Sequence, residues 1–180
     1  MGNRLSKIYT KTGDSGTTGL GDGSRISKAS LRINAIGEID ELNCNLGLLL
    51  NHELRTDMRK LIIDIQHDLF VLGGELSIPG SKFVEEDSIK KLENAIDLYN
   101  EEIPALKEFI LPGGCPAASA AHLCRAVCRR AERAILEIES SESINSDLTS
   151  YINRLSDFLF VVARIVSKDS SVGEVLWQRK

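Results

Sequence analysis

The chain has 180 residues, 26 acidic against 22 basic, for a formal net charge of −4. That length supports one domain with a sizeable core, and 42% hydrophobic with 27% charged residues is the balance of a water-soluble globular protein. The acidic balance speaks against non-specific nucleic-acid binding, and no apolar run reaches the length that spans a bilayer.

At the N-terminus there is no signal-peptide pattern. Residues Met1 to Ser6 fit the N-myristoylation pattern, but without a second membrane signal the match is expected to be fortuitous. A short extended start is expected at Lys7–Thr10. Residues 8–28 then hold five glycines, many Ser and Thr hydroxyls, and the cations Lys11, Arg25 and Lys28. Glycines let backbone N–H groups approach a ligand closely, and hydroxyls and cations complete a polyphosphate cradle. No Gly-Lys-Ser/Thr follows, which excludes a Walker A loop, and Gly19 to Gly23 lacks the third glycine of the dinucleotide fingerprint. A flexible linker is the alternative for such a segment taken alone.

From residue 30 the pattern is helical. The first helix covers 30–51, with Leu31, Ala35, Ile39, Leu42, Leu46 and Leu49–Leu50 at helical spacing. A second runs from about Thr56 to Leu76 and is loosened or ended by Gly73-Gly74, Pro79 and Gly80. Asp87 or Ser88 is expected to cap a third through Leu92, Ala95, Ile96 and Tyr99. Pro104 opens a loop to Pro116, helix four fills 116–140, Ser140–Ser146 is a polar break, and helix five spans 147–168 before a polar tail around Trp177. Five helices with short links predict a helical bundle.

On helix four, Arg125, Arg129, Glu132 and Arg133 share an arc of roughly 100°, while Leu123, Val127, Ala131, Ala134 and Ile138 face the other way. The arginines are either a solvated face laced by Glu–Arg pairs or a fork array for phosphate oxygens. On helix five, Asn153, Asp157 and Arg164 line a polar stripe with Phe160, and these groups need partners wherever they are covered. On helix one, Asp40 shares its arc with Ile33, Ile36, Gly37, Cys44 and Gly47. A carboxylate in such company predicts a surface covered by another subunit, with an arginine of helix four as its partner. Phe109, beside Pro112-Gly113-Gly114, is either a core plug or a functional aromatic. His122, Cys124 and Cys128 match no zinc spacing, and both cysteines fall on the apolar side of their helix. With Cys44 and Cys115 they read as reduced thiols of a cytoplasmic protein.

Four ordered motifs, Tyr9–Thr18, Phe109–Gly114, Cys124–Arg133 and Asn153–Asp157, together closely resemble the PduO-type ATP:cob(I)alamin adenosyltransferases over residues 7–168. The resemblance implies an all-α, up-down five-helix bundle of ferritin-like kind over residues 30–168. It would carry an N-terminal Gly/Thr-rich nucleotide-binding loop at 1–29 and a tail at 169–180, all one domain. It implies homotrimers with ATP bound between subunits and transfer of the 5′-deoxyadenosyl group of ATP to the cobalt of a reduced corrinoid.

By position, Thr10, Lys11, Thr12, Gly13, Asp14, Ser15, Gly16, Thr18, Gly19 and Lys28 would hold ATP from the loop. Arg129, Arg130, Glu132, Arg133 and Asn153 would complete the ATP site from the helices. Phe109 would displace the lower ligand of cobalamin, Asp40 would pair with Arg125 across the subunit boundary, and Arg154, Ser156 and Asp157 would support the site. Mg²⁺ would arrive with ATP, without protein side-chain ligands, and the cob(II)alamin reductase would be a separate partner. Ser15 departs from the lysine often found at its position in the family. A non-catalytic ATP-binding sensory module on the same bundle is the second reading. A helical interaction protein docking an acidic partner or nucleic acid through its arginines is the third.

Overall fold

In the computed structural model, which describes residues 8–179, helix boundaries follow the apolar periodicity closely. The helices are α1 (Leu31–Leu49), α2 (Thr56–Leu76), α3 (Glu86–Asn100), α4 (Pro116–Glu139) and α5 (Ser146–Asp169). The myristoylation-like Gly2–Ser6 and Lys7 lie outside the described residues.

Each start has a local cause. Ser30 caps α1 by accepting from the Ile33 N–H at 3.3 Å, Pro116 occupies the first turn of α4, and Asn145 caps α5 through the Asp147 N–H at 3.2 Å. Asp87 and Ser88 do not cap α3. That helix begins earlier, at Glu86, which leaves Asp87 in its first turn, where a carboxylate favours the helix dipole. Nor do Gly73-Gly74 end α2. Tertiary contacts override the weak propensity: the buried carboxylate of Glu75 accepts the N–H groups of Phe83 (2.5 Å) and Val84 (2.7 Å), which fixes the last turn.

The helices alternate in direction. α1 runs against α4, since Arg32 near its start reaches Glu142 past the end of α4, while Glu38 and Glu41 meet Arg130. At the other end, Arg55 before α2 holds Glu102 and Asp169 with paired hydrogen bonds of 2.6–2.9 Å. α5 is the central helix, packed on α4 and α3, with fourteen buried residues among its twenty-four. Leu42, Leu46, Ile62, Ile65, Leu69, Val127, Ile135, Leu155 and Leu159 share its core.

Two expected core positions lie elsewhere. Leu123 is 53% exposed, because the side of α4 that packs on α1 and α5 is carried by Ala121, Cys124, Val127 and Cys128. Leu31, in the first turn of α1, is exposed as well.

Before α1 stands a short antiparallel hairpin of β1 (Thr17–Gly19) and β2 (Arg25–Ser27), with Thr18 opposite Ile26. It docks on the end of α2 through the Gly21 N–H to the Ser77 carbonyl, 2.8 Å. A Cβ at Gly21 would meet Ile78 and Ser77 at 2.7–2.8 Å, so only glycine permits this approach.

After α5 the chain turns back. Leu111 N–H donates to Val175 O (2.8 Å) and Trp177 N–H to Phe109 O (2.7 Å), about a bridge between Ile110 and Leu176. The tail is therefore a strap on the 109–111 loop.

Candidate functional site

The N-terminal loop is built rather than slack. The Arg25 guanidinium donates to the Thr12 carbonyl (2.7 Å) and to the carbonyl and hydroxyl of Thr17, which closes residues 12–17 against β2. The linker alternative therefore fails for these residues. Gly16 takes φ +83°, and its carbonyl accepts the Lys28 N–H at 2.9 Å.

The Lys28 ammonium lies over Gly13, 3.0 Å from where a Cβ would stand. A larger residue at 13 would have to displace it by a few tenths of an ångström. Thr10 and Thr12 share a hydroxyl hydrogen bond of 2.9 Å. Lys11, Asp14, Ser15 and Lys28 are exposed, and the hydroxyl of Thr18 sits on β1 beside Gly19. Neither Lys11 nor Lys28 has a carboxylate partner among the described residues.

On α4 the arginines divide. Arg130 is held by Glu38 (2.5 Å) and Glu41 of α1. Arg129 and Arg133 are exposed and pair with no carboxylate among the described residues, Arg133 donating only to the Arg129 carbonyl at 3.0 Å. Glu132 accepts from the Asn153 amide (2.9 Å), whose oxygen accepts from Arg154 (2.8 Å). Arg154 in turn reaches Glu93 (2.8 Å) and lies 3.7 Å from Asp157. The Ser156 hydroxyl turns back onto the Asn153 carbonyl at 2.9 Å. This chain of bonds fixes Glu132 and Asn153 beside the free arginines.

Further along α4, His122 and Arg125 join Phe109, Ile110, Leu106 and Phe160 around a cavity of about 430 Å³. Phe109 is 78% exposed at its edge, which removes the core-plug alternative. His122 is 5% exposed, its ring 6.2 Å from that of Phe160. His122 Nδ1 and Arg125 Nε are both buried without a hydrogen-bond partner. Burial, then the nearby Arg125 cation, hold the His122 pKa below its ordinary value, so the imidazole is neutral. Burial pushes the Cys124 thiol up to about 12, which leaves it unreactive. Asp40 is exposed on α1 and makes no hydrogen bond or ion pair among the described residues.

Arg164 departs from the expected polar stripe. It is 4% exposed and spends its donors on Glu174 (2.8 and 3.3 Å) and the Pro104 carbonyl (2.8 Å). The sequence placed Arg164 among groups that need partners where covered but did not reveal Glu174, and it raised His122 only as a metal ligand. The signal for Arg164 was a lone cation in the apolar run Val161–Val166, which must find a partner within the fold.

Within one chain the loop is not bonded to the helix that carries the arginines. Residues 10–28 make no hydrogen bond or ion pair to α4 among the described residues, and Arg129 lies about 15 Å of helix from the hairpin end of the bundle.

The family model described as cobalamin adenosyltransferase matches residues 8–166, spanning loop, cavity and arginines alike. The chain belongs to the cobalamin adenosyltransferase family. This adenosyltransferase is 55% identical, over its full length and 98% of the relative, to a cobalamin adenosyltransferase of Cupriavidus metallidurans. It is 45% identical, over 96% of this chain and 93% of the other, to a corrinoid adenosyltransferase of Bacillus subtilis.

Among solved structures it resembles a phenylalanine-to-histidine variant of a PduO-type ATP:corrinoid adenosyltransferase from Lactobacillus reuteri, complexed with cobalamin and ATP. The TM-score is 0.92 at 37% identity, covering 96% of this chain and 97% of that one. An arginine-to-lysine variant of the Lactobacillus protein, complexed with ATP, gives 0.90 at 39% identity over 95% and 100% of the two chains. The adenosyltransferase is thus an enzyme with the five-helix fold of that family. No helix among its described residues is long and apolar enough to cross a membrane.

Proposed function

We propose that the enzyme transfers the 5′-deoxyadenosyl group of ATP to the cobalt of cob(I)alamin, giving adenosylcobalamin and triphosphate. One observation carries the reading: cations without carboxylate partners (Lys28, Arg129, Arg133) and an aromatic-walled cavity at Phe109 occur together on a family member. ATP is held from the loop by residues 10–16, Thr18, Gly19 and Lys28, and from α4 and α5 by Arg129, Arg130, Glu132, Arg133 and Asn153. Because the loop is not bonded to the helix of the arginines in one chain, the loop of one subunit closes on the helices of the next. A homotrimer with ATP sites between subunits meets that requirement.

Arg125 and Asp40 support the same assembly. A half-buried guanidinium with an orphaned Nε and an exposed carboxylate without a partner complement each other across a subunit boundary.

The chemistry needs no side-chain nucleophile. The cobalt(I) lone pair attacks the ribose C5′, the cobalt–carbon bond forms as C5′–O breaks, and the electron pair leaves with triphosphate. The protein's tasks are in-line positioning and neutralisation of that leaving charge. Lys28, Arg129 and the loop N–H groups do the second. Mg²⁺ would be carried by the ATP phosphates, where it would supply further positive charge.

Phe109 sits at the cavity edge where it occupies the lower face of the corrin and keeps a base from the cobalt, which eases reduction of cob(II)alamin by a separate reductase. An apolar aromatic suits that task, since a phenyl ring offers the cobalt no donor atom.

The test is anaerobic: purified protein, ATP, Mg²⁺ and chemically reduced cob(I)alamin, followed by visible absorbance. A protein- and ATP-dependent shift to a light-sensitive adenosylcobalamin spectrum is expected. ATP binding without conversion would overturn the reading in favour of a non-catalytic module.

A further inference from the structure

The Phe109 loop lacks regular structure of its own. Glu108 accepts the Phe109 N–H at 2.8 Å, and the segment packs few buried side chains. What holds it is the tail: the Leu111 N–H bonds Val175 O, and the Trp177 N–H bonds Phe109 O. The tail is itself fastened at one residue before that pairing begins. Glu174 takes two hydrogen bonds from the buried guanidinium of Arg164, and the same guanidinium bonds the Pro104 carbonyl at the head of the loop.

Arg164 thus ties loop and tail to α5 from a single point in the core. Behind it, Gly173 and Gly114 both take positive φ, and a Cβ on Gly114 would stand 3.0 Å from the Ser167 hydroxyl and 3.6 Å from the Gly173 carbonyl. Gly114 leaves room for the close approach to α5, and Gly173 supplies a left-handed turn. Glu174 also lies within electrostatic reach of His122 on the cavity wall.

We propose that Arg164 and Glu174 form a latch that sets the position of Phe109, and are positioning residues for the corrinoid rather than for ATP. The inference rests on the assignment of the cavity to cobalamin. A buried, bidentate pair fixes a strap more firmly than main-chain bonds at an exposed edge, which open readily. Releasing Glu174 frees residues 175–177, and with them the only cross-strand bonds that residues 109–111 make among the described residues. Phe109 then samples positions away from the cavity, while the arginines of α4 are undisturbed.

The test uses the full chain with Glu174→Gln, which keeps the shape of the side chain, and Arg164→Lys, which keeps the charge but not the fork. Amide hydrogen exchange of Leu111 and Trp177 should rise at least about tenfold in both variants, with Ile65 in the core unchanged. In steady-state turnover from cobalamin, KM for the corrinoid should rise about fivefold or more, with KM for ATP within about twofold of wild type. Unchanged exchange at Leu111 and Trp177 would overturn the latch. Faster exchange with unchanged corrinoid KM, or equal rises in both KM values, would overturn its positioning role. Wild-type protein that fails to convert cob(I)alamin would instead sink the functional reading, a separate outcome, because the exchange measurement reports the latch without any turnover.

Discussion

Arg129 and Arg130 are neighbours on α4 with opposite circumstances. Arg130 is neutralised by two carboxylates of α1, whereas Arg129 stands exposed without one. A cation left free beside one that is paired is available to a phosphate. Removing a charged donor from a leaving group in a closed site costs roughly 3 kcal/mol, about a hundredfold in rate. Arg129→Ala should therefore lower kcat about a hundredfold while its thermal midpoint stays with wild type, because the side chain is exposed; a turnover assay and a melt on one preparation decide it.

His122 gives a second outcome at this scale. Its pKa is below the ordinary 6.5 in the folded protein, so below pH 6.5 the unfolded chain binds more protons than the native one. Its stabilising effect is complete above that value and is lost as the pH falls towards the folded pKa. The melting temperature of wild type should fall more between about pH 7.5 and about pH 5.5 than that of His122→Gln, which has no imidazole to charge. Equal falls in the two proteins would show that His122 is not buried neutral.

At the scale of elements, the hairpin is the part most dependent on one contact. Gly21 brings its backbone against Ser77 and Ile78, so Gly21→Ala must push β1 and β2 off the end of α2. The expected result is a KM for ATP raised about tenfold, with the helical circular dichroism unchanged, because the five helices do not need the hairpin to pack. A normal KM in a folded Gly21→Ala protein would mean that the loop's seat on α2 is irrelevant to nucleotide binding.

The same elements show what a sequence displays and what it hides. Long helices announce themselves through repeated apolar positions, so α1, α4 and α5 lie within about two residues of where periodicity puts them. Three-residue strands have no period to read, and β1, β2 and the 175–177 strap were invisible for that reason. Leu123 illustrates another limit. Its wheel position was apolar by composition, but the direction of packing was set by the alanines and cysteines beside it, whose small side chains let α1 and α5 approach. The wheel did place Arg129 and Arg133 on an open face. It could not show that Arg130 would be taken by α1, since that depends on which helix lies alongside.

For the whole molecule, the decisive property is that its parts are incomplete alone. The bundle is well closed around α5, yet among the described residues Arg125 has a buried Nε without a partner and Asp40 has no cation. Assembly that joins the two across each boundary should be weakened by Asp40→Asn. The expected shift is at least about tenfold in the concentration at which the proposed trimer dissociates, equivalent to about 1.4 kcal/mol, read by analytical ultracentrifugation. An unchanged sedimentation profile across that range would place Asp40 outside the interface.

The strap also bears on how the molecule is handled. Because Trp177 is bonded to Phe109, a pull on the chain beyond Trp177 reaches the Phe109 loop first. Anchoring the enzyme to a bead or a sensor chip by its C-terminus would load that pairing before any helix felt the force. An anchor on the outer face of α2, at Lys60, would leave it slack.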